Sequence, residues 1–318
     1  LVHYECPKLT PQDTKTLLSV MMTEDQHHTF ETQGEVDFSF SSTQVGRYRV
    51  NVFQQRGSMA ASIRLIHNEI IDPRFLGIPD SVIDLYKRNK GLVLVTGATG
   101  SGKSTTLASL IDQINRYRSC HVITLEDPIE YLHKHQKSIV NQREIGLDST
   151  SYGSALKAAL RQDPDVILVG EMRDLETIST ALTAAETGHL VFSTLHTSGA
   201  VETIDRIIDV FPPHQQAEVR VQLSSVLVSV ISQQLLPKSF GEGRIPAFEV
   251  MHLNPAIRNL IREGKTYQIK STIQTNRKMG MMTMEDALIQ RYREGSITRE
   301  TAVLAASDPI SIEHKLVF

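Results

Sequence analysis

One stretch, GLVLVTGATGSGKSTTLASLI, constrains this chain more than any other. Gly97, Gly102, Lys103 and Ser104 match the pattern G-x-x-x-x-G-K-[ST], between an apolar run typical of a buried strand and a run with helical spacing. Glycines let backbone N–H groups wrap a phosphate, and the helix start adds positive potential. In this pattern the lysine reaches the β- and γ-phosphates and the serine hydroxyl binds Mg²⁺. We therefore predict a nucleotide site formed by Thr99, Gly100, Ser101, Gly102, Lys103, Ser104 and Thr105.

Acidic residues follow two further apolar runs. Glu171 comes directly after VILVG, at the end of a strand where ligands bind in open parallel sheets, and we predict that it helps to hold Mg²⁺. Glu126, Asp127 and Glu130 follow HVITL, three carboxylates within five residues. Such carboxylates repel one another unless a cation offsets them, so the cluster suits a metal-bound water and a general base.

Two histidines flank the apolar run LVFSTL. Seven positions separate His189 from His196, so a strand would place them on opposite faces and they are not expected to share a metal. His196 follows the run, where a group that senses the γ-phosphate would stand. A hydrogen-bonded structural role is the alternative for both histidines.

Composition excludes several classes of protein. The chain has 318 residues with 33 Lys+Arg against 36 Asp+Glu, and a net charge of −3 gives no general reason to expect nucleic acid or a membrane surface as partner. The two cysteines, Cys6 and Cys120, exclude a disulfide scaffold and a four-cysteine zinc site built from this chain alone. No apolar run approaches the length of about 18 residues that a membrane span requires, and we expect no direct membrane insertion.

Spacing predicts a small first domain at residues 1–66. Alternation with period two from Val36 to Ile66 predicts an antiparallel meander with one polar face. The stretch from Thr10 to Phe30 reads as one helix whose buried side carries Leu17, Leu18, Met21 and Met22. Residue 1 is Leu, so we expect this α+β domain to be truncated at its start.

The rest of the chain predicts an α/β domain. Prolines and glycines at 67–90 suggest a linker. Over residues 91–318, short apolar strands alternate with helical patterns, which predicts a parallel sheet covered on both faces. After Pro213 the spacing reads as helical through QAEVRVQLSSVLVSVISQQLL, with one late strand, RIPAFEVM, and three short helices.

A family resemblance rests on four segments in order: GATGSGKSTT, TLEDPIE, DVILVGEMRDLETISTALTAAETGHLVFSTLHT and AIRNLIREGK. Together they resemble the PilT-like type IV pilus retraction (twitching motility) ATPases of the secretion ATPase superfamily. The resemblance begins near Gly34 and continues to the C-terminus. Ala98 and Ser193 stand where the family commonly has Pro and Gly, and neither change touches the required glycines, Lys103 or Ser104.

The resemblance implies a fold and an activity. It implies a RecA-like P-loop NTPase domain, a PAS-like N-terminal domain that packs on the next subunit, and a hexameric ring that binds ATP and Mg²⁺. By motif position, Glu171 would bind Mg²⁺, Glu130 would be the catalytic base and His196 would contact the γ-phosphate. The segment associated with retraction comprises Ala256, Ile257, Arg258, Asn259, Leu260, Ile261, Arg262 and Glu263.

The resemblance also implies partners. We expect a homohexamer that is cytoplasmic and peripheral at the inner membrane, where it meets a pilus platform protein and the rest of the pilus machinery, with no nucleic acid bound. An active site of this kind gains rate from an arginine supplied by a neighbour. The candidates on the predicted meander are Arg47, Arg49 and Arg64.

Other classes of protein remain as alternatives. Pilus assembly and type II secretion ATPases share the core motifs, but they usually carry a zinc-binding insertion with four cysteines, which two cysteines cannot supply. A nucleotide-binding accessory subunit without turnover is a further alternative, although the acidic clusters are intact. A DNA translocase would need a clustered basic stripe that the chain lacks.

Overall fold

A computed structural model describes residues 6–42, 46–66 and 69–316. The chain divides into two compact units, with the boundary between Glu69 and Ile70. The interval 67–90, suggested above as a linker, is mostly part of the second unit: Ile78, Val82 and Leu85 are buried in its core, while residues 67–68 lie outside the described residues. Apolar side chains between the prolines and glycines explain this difference, because they gain stability by packing on the larger core.

The first unit consists of two helices and a three-stranded meander. Its elements are α1 (Pro11–Ser19), α2 (Glu24–Gln33), β1 (Glu35–Ser42), β2 (Gly46–Gln55) and β3 (Ser58–Ile66), with the sheet order β1-β2-β3. The strands are antiparallel, and Val36 and Phe38 of β1 pair with Val52 and Val50 of β2, all four of them buried. The predicted meander and its apolar face are confirmed.

The single helix predicted from Thr10 to Phe30 is wrong. The chain forms two helices because Thr23 begins a second one, in a capping box in which its hydroxyl accepts a hydrogen bond from the backbone of Gln26. Leu18 and Met22 are buried as predicted, but Leu17 is 55% exposed.

The second unit contains a seven-stranded sheet between helices. Its strands are β4 (Gly91–Thr96), β5 (His121–Glu126), β6 (Ile139–Glu144), β7 (Val166–Val169), β8 (Leu190–Leu195), β9 (Leu227–Pro237) and β10 (Arg244–His252). The described helices are α3 (Asp80–Ile83), α4 (Lys103–Tyr117), α5 (Tyr152–Ala159), α6 (Leu175–Glu186), α7 (Ala200–Asp209), α8 (Gln216–Val226), α9 (Pro255–Arg262), α10 (Ile269–Thr275), α11 (Met284–Arg293), α12 (Arg299–Ala305) and α13 (Pro309–Lys315).

The order of the strands is β10-β9-β4-β8-β7-β5-β6, and only the β9–β10 pair is antiparallel. Alternate residues of the central strand β4 enter two separate apolar clusters: Leu92 and Leu94 belong to one, Val93 and Val95 to the other. A strand buried on both faces is what helices above and below a parallel sheet produce. The predicted α/β fold is confirmed.

Two strands differ from the sequence-based expectation. Residues 227–237 were expected to be helical but form β9, because they pair with β4 on one side and β10 on the other, and residues 229–233 are buried. The edge strand β6 was not predicted at all, since Asn141, Gln142, Arg143 and Glu144 make most of it polar. Among the described residues, no helix is both long and apolar enough to cross a membrane.

Candidate nucleotide site

The G-x-x-x-x-G-K-S loop joins β4 to α4, as its motif requires. Gly97 and Gly102 have φ angles of 141° and 90°. A Cβ atom on Gly97 would lie 2.3 Å from the backbone oxygen of Gln233, and one on Gly102 would lie 2.8 Å from the side-chain nitrogen of the same residue. Only glycine fits these two positions, and the loop is thereby free to turn its backbone N–H groups toward a phosphate.

Strand β9 holds both sides of this loop. Thr96 Oγ1, just before the loop, lies 2.7 Å from Ser232 Oγ, and both side chains are buried. Thr106 Oγ1, in the first turn of α4, donates to Gln233 Oε1 at 2.7 Å. Buried hydrogen bonds of this kind are costly to break, so they fix the loop's position at the carboxyl edge of the sheet.

Lys103 lies over the loop. Its Nζ atom donates to the carbonyl oxygens of Gly97 at 2.8 Å and Ala98 at 3.1 Å. Burial lowers the pKa of Lys103, while the nearby charges of Glu171 and Glu130 act in the opposite direction. Both candidate carboxylates therefore lie close enough to act on this ammonium group.

Glu171 and His196 lie together at the ends of β7 and β8. Glu171 Oε1 is 3.2 Å from His196 Nε2 and 2.6 Å from Arg173 Nε. The Glu171 side chain is only 16% exposed, whereas that of Arg173 is 76% exposed. On the other side of the imidazole, Nδ1 is 3.5 Å from Thr99 Oγ1 in the glycine-rich loop. The predicted Mg²⁺ ligand and the predicted γ-phosphate contact thus meet beside the loop.

The acidic cluster after β5 separates into two environments. Glu126 Oε1 accepts hydrogen bonds from Thr124 Oγ1 at 2.6 Å and Gln142 Nε2 at 3.1 Å, and burial raises the pKa of Glu126 despite these bonds. Asp127 and Glu130 are exposed. Glu126 is therefore engaged in structure, whereas Asp127 and Glu130 are both open to water. Of these two, Glu130 acts on the charge of Lys103.

The other predicted residues lie away from these groups. His189 Nδ1 is 2.9 Å from the backbone oxygen of Ala184, where it closes the turn before β8. In the first unit, Arg49 and Arg64 pair directly across β2 and β3, and Arg47 lies two positions along the same face. Like charges in direct opposition repel, and Asp37 Oδ1, 4.0 Å from Arg49 Nε, offsets part of this repulsion.

Residues 256–263, which the family resemblance associates with retraction, lie in α9 (Pro255–Arg262) and at its C-cap, Glu263. Asn254 caps it through a hydrogen bond that its Oδ1 accepts from the Ile257 backbone at 2.8 Å. Ile257 and Ile261 are fully buried and Leu260 is partly buried, while Arg258, Asn259, Arg262 and Glu263 are exposed. This is the distribution that the helical spacing predicts.

Several residues at or near the site were not predicted from the sequence, among them Arg173, Arg244 and Glu249. Arg173 pairs with Glu171. Arg244 Nη1 lies 3.4 Å from the backbone oxygen of Gly100, and Arg244 and Gly100 both line a cavity of about 320 Å³. Glu249 is 8% exposed and accepts hydrogen bonds from the backbone of Ala200 at 2.8 Å and Met284 at 3.2 Å, the starts of α7 and α11. Arg173 lies in the segment quoted above that begins DVILVGEMRD, but no spacing in the sequence indicates Arg244 or Glu249.

The residues present fit a nucleotide with Mg²⁺. Ser104 is exposed in the first turn of α4. No group of three or more His, Cys, Asp or Glu side chains in the described parts of the chain could hold a metal by itself. Mg²⁺ is commonly bound by one or two protein ligands together with substrate phosphates, and the oxygen atoms of Ser104 and Glu171 are ligands of the kind that it takes.

A P-loop between a parallel strand and a helix, with acidic and histidine groups at the neighbouring strand ends, defines a P-loop nucleotide-binding protein. The chain belongs to the family described as "Type II/IV secretion system protein", whose model matches residues 77–303.

Several named members of this family are similar to this chain over most of its length. The chain is 49% identical to the "Type IV pilus retractation ATPase PilT" of Pseudomonas aeruginosa, over 95% of this chain and 88% of that protein. It is 48% identical to the "Twitching motility protein" of Neisseria gonorrhoeae, over 93% and 79%. A crystal structure of the pilus retraction motor PilT with bound ADP matches with a TM-score of 0.92 and 55% identity, over 97% of this chain and 88% of the other.

Proposed function

We propose that this chain is a motor ATPase that couples ATP hydrolysis to type IV pilus retraction. The observation that carries the proposal is the meeting of Lys103, Glu171 and His196 at one sheet edge, in a chain about half identical to retraction ATPases over nearly its whole length. Purified protein that fails to hydrolyse ATP would contradict it.

Each residue has a role in hydrolysis. The loop's N–H groups and Lys103 bind the β- and γ-phosphates, and His196 contacts the γ-phosphate. Ser104 and Glu171 would hold Mg²⁺, which would supply positive charge to offset the charge that develops on the phosphates. The Arg173–Glu171 pair is largely exposed on the arginine side, so it contributes at most about 1 kcal/mol and yields easily to a metal. Glu130 accepts the proton of the attacking water, and the products are ADP and phosphate.

The protein works as a homohexamer with Arg47, Arg49 or Arg64 acting on the nucleotide of a neighbouring subunit. We expect that alanine at one or more of these positions lowers kcat by about 10³-fold, because a transition-state arginine supplied in trans contributes that much, while nucleotide affinity stays nearly unchanged. Turnover and ADP binding are measured beside mass in solution. Lys15→Ala removes an exposed cation of the same unit and serves as the control.

Mixed rings test whether the arginine acts in trans. An arginine variant mixed with Lys103→Ala protein has some sites with both an intact loop and an intact neighbour, so part of the activity should return. Absence of any recovery in rings shown to be mixed would contradict the assignment.

The platform protein and the pilus machinery at the inner membrane are the partners. The element that acts on them is α9. Arg258 lines a cavity of about 390 Å³ with Arg88, Lys90 and Gly91. Gly91 begins β4, whereas the nucleotide loop follows its end, about 17 Å further along the strand. Arg258 therefore lies at the opposite sheet edge from the phosphates.

We expect that Arg258→Glu preserves ring formation and most ATP hydrolysis but abolishes retraction, leaving cells with pili and no twitching. The reason is the placement of Arg258 at an exposed surface away from the catalytic groups. Motility, pilus counts and turnover of the purified variant are the measurements, with Arg74→Glu as an exposed charge-reversal control. Normal twitching would refute the role of this helix, and joint loss of turnover and twitching would show that it belongs to the catalytic ring.

A further inference from the structure

The loop that carries Glu130 lies against the edge strand β6. Alternation along β6 places Val140, Gln142 and Glu144 on one face. Val140 enters the apolar core, and the two polar side chains that follow it reach the loop after β5. A polar edge strand thus supports this loop through hydrogen bonds from its side chains.

Gln142 makes three hydrogen bonds to this region. Its Nε2 donates to the backbone oxygen of Tyr131 at 2.8 Å and to Glu126 Oε1 at 3.1 Å, and its Oε1 accepts from the backbone N–H of His133 at 2.7 Å. The opposite amide orientation would set an oxygen against two acceptors, so the arrangement is unambiguous. One side chain therefore fixes the backbone on the C-terminal side of Glu130 and the carboxylate of Glu126.

Two further bonds complete the attachment. Glu144 Oε2 accepts from the backbone N–H of Ile129 at 3.1 Å. Tyr131 Oη lies 2.8 Å from Thr105 Oγ1, in the first turn of α4. Burial raises the pKa of Glu126, and the backbone of Glu130 acts on this carboxylate in the opposite direction. The loop is held on either side of Glu130, whose own side chain stays exposed.

We propose that Gln142 is a positioning residue for ATP hydrolysis: through its bonds to the loop and to Glu126, it holds the carboxylate of Glu130 at the place where the attacking water is deprotonated. The inference rests on the proposed ATPase function and on Glu130 as its base. An amide is required because the site needs two donated bonds and one accepted bond from a single group. Glutamate keeps the shape without the donors, and methionine keeps the approximate length without any of the three bonds.

Gln142→Met should lower kcat while leaving nucleotide binding intact. A misplacement of about 1 Å at a reacting group costs up to about 10²-fold in rate, so we expect a fall in kcat of about 10- to 100-fold. KM for ATP and Kd for ADP should change by less than about 2-fold, since the glycine-rich loop and Lys103 hold the phosphates. Gln142→Glu should lose at least as much, because it also sets a second carboxylate against Glu126.

A double-mutant cycle separates positioning from a general structural role. Gln142→Met is measured in the wild-type chain and in Glu130→Gln, with single-turnover kinetics for the slow variants. If Gln142 acts through Glu130, its replacement should change the residual rate of Glu130→Gln by less than about 2-fold. Asn141→Ala is the matched control: it removes an exposed amide from the same strand, 3.2 Å from His121 Nε2, without touching the loop.

The outcomes separate the role of Gln142 from the ATPase function itself. Unchanged kcat in Gln142→Met, or an equal loss in both backgrounds, overturns the positioning role while ATP hydrolysis by the wild type still supports the proposed function. If Gln142→Met does not fold, Gln142→Glu decides by the same cycle. A wild-type chain without turnover overturns the proposed function and this inference with it, and full activity of Glu130→Gln removes the base on which the inference rests.

Discussion

Replacement of Lys103 by alanine abolishes ATP hydrolysis and leaves the protein folded: this is the largest effect that we expect. Lys103 is the only described cation buried at the loop, and loss of one preorganised charge contact in such a site costs at least about 10²-fold in rate. Burial lowers the pKa of Lys103, which means that the folded protein holds this charge at a cost. Its removal should therefore not unfold the core.

ATP turnover and the thermal unfolding midpoint of the purified variant check this expectation. Lys278→Ala removes an exposed lysine outside the site and should leave both values as in the wild type. Full turnover by Lys103→Ala would show that the loop is not the catalytic site.

Glutamine at the two candidate carboxylates should give two different defects. Glu130→Gln keeps the size of the side chain and leaves the phosphate contacts intact, but it cannot accept the water's proton. We expect a fall of about 10²- to 10⁴-fold in kcat, the range of a general base, with ATP bound and trapped unhydrolysed. If Glu171 holds Mg²⁺ as proposed, Glu171→Gln removes the charge of that ligand, so its activity should fall and its demand for Mg²⁺ should rise.

Turnover across a Mg²⁺ titration, together with retention of labelled ATP on the purified protein, distinguishes the two variants. Glu176→Gln, which changes an exposed carboxylate on α6 that pairs with Lys157, is the control. Normal turnover by Glu130→Gln would place the base elsewhere.

Local patterns predicted the parts of the fold whose determinants are local. The motif around Lys103 specifies strand, loop and helix within one stretch, and the apolar runs of β5, β7 and β8 are short and bounded by turn residues. Strand β9 was taken for a helix because a strand buried on both faces lacks the alternation that marks strands. The break between α1 and α2 depends on the capping box at Thr23, which outweighs the continuous helical spacing.

The candidate site likewise has residues that local sequence patterns predict and residues that they do not. The placement of Lys103, Glu171 and His196 at one sheet edge could be predicted because each stands at a fixed place relative to its own strand. The partners that hold the site could not. Gln142 lies on a strand that no apolar pattern reveals, and Glu249 contacts helix starts 49 and 35 residues away. Such contacts depend on which strands become neighbours, and one sequence does not contain that information in its spacing.

The position of β4 in the sheet has a consequence for the order in which the site can form during synthesis. Its two neighbours, β8 and β9, are made long after it, and the bonds from Thr96 and Thr106 to β9 span 136 and 127 residues of chain. A nascent chain that ends before residue 227 has the whole nucleotide loop but lacks the strand that supports it. The residues that bind phosphate are therefore synthesised early. Because contacts between residues far apart in the sequence form slowly, these residues become competent only near the end of folding.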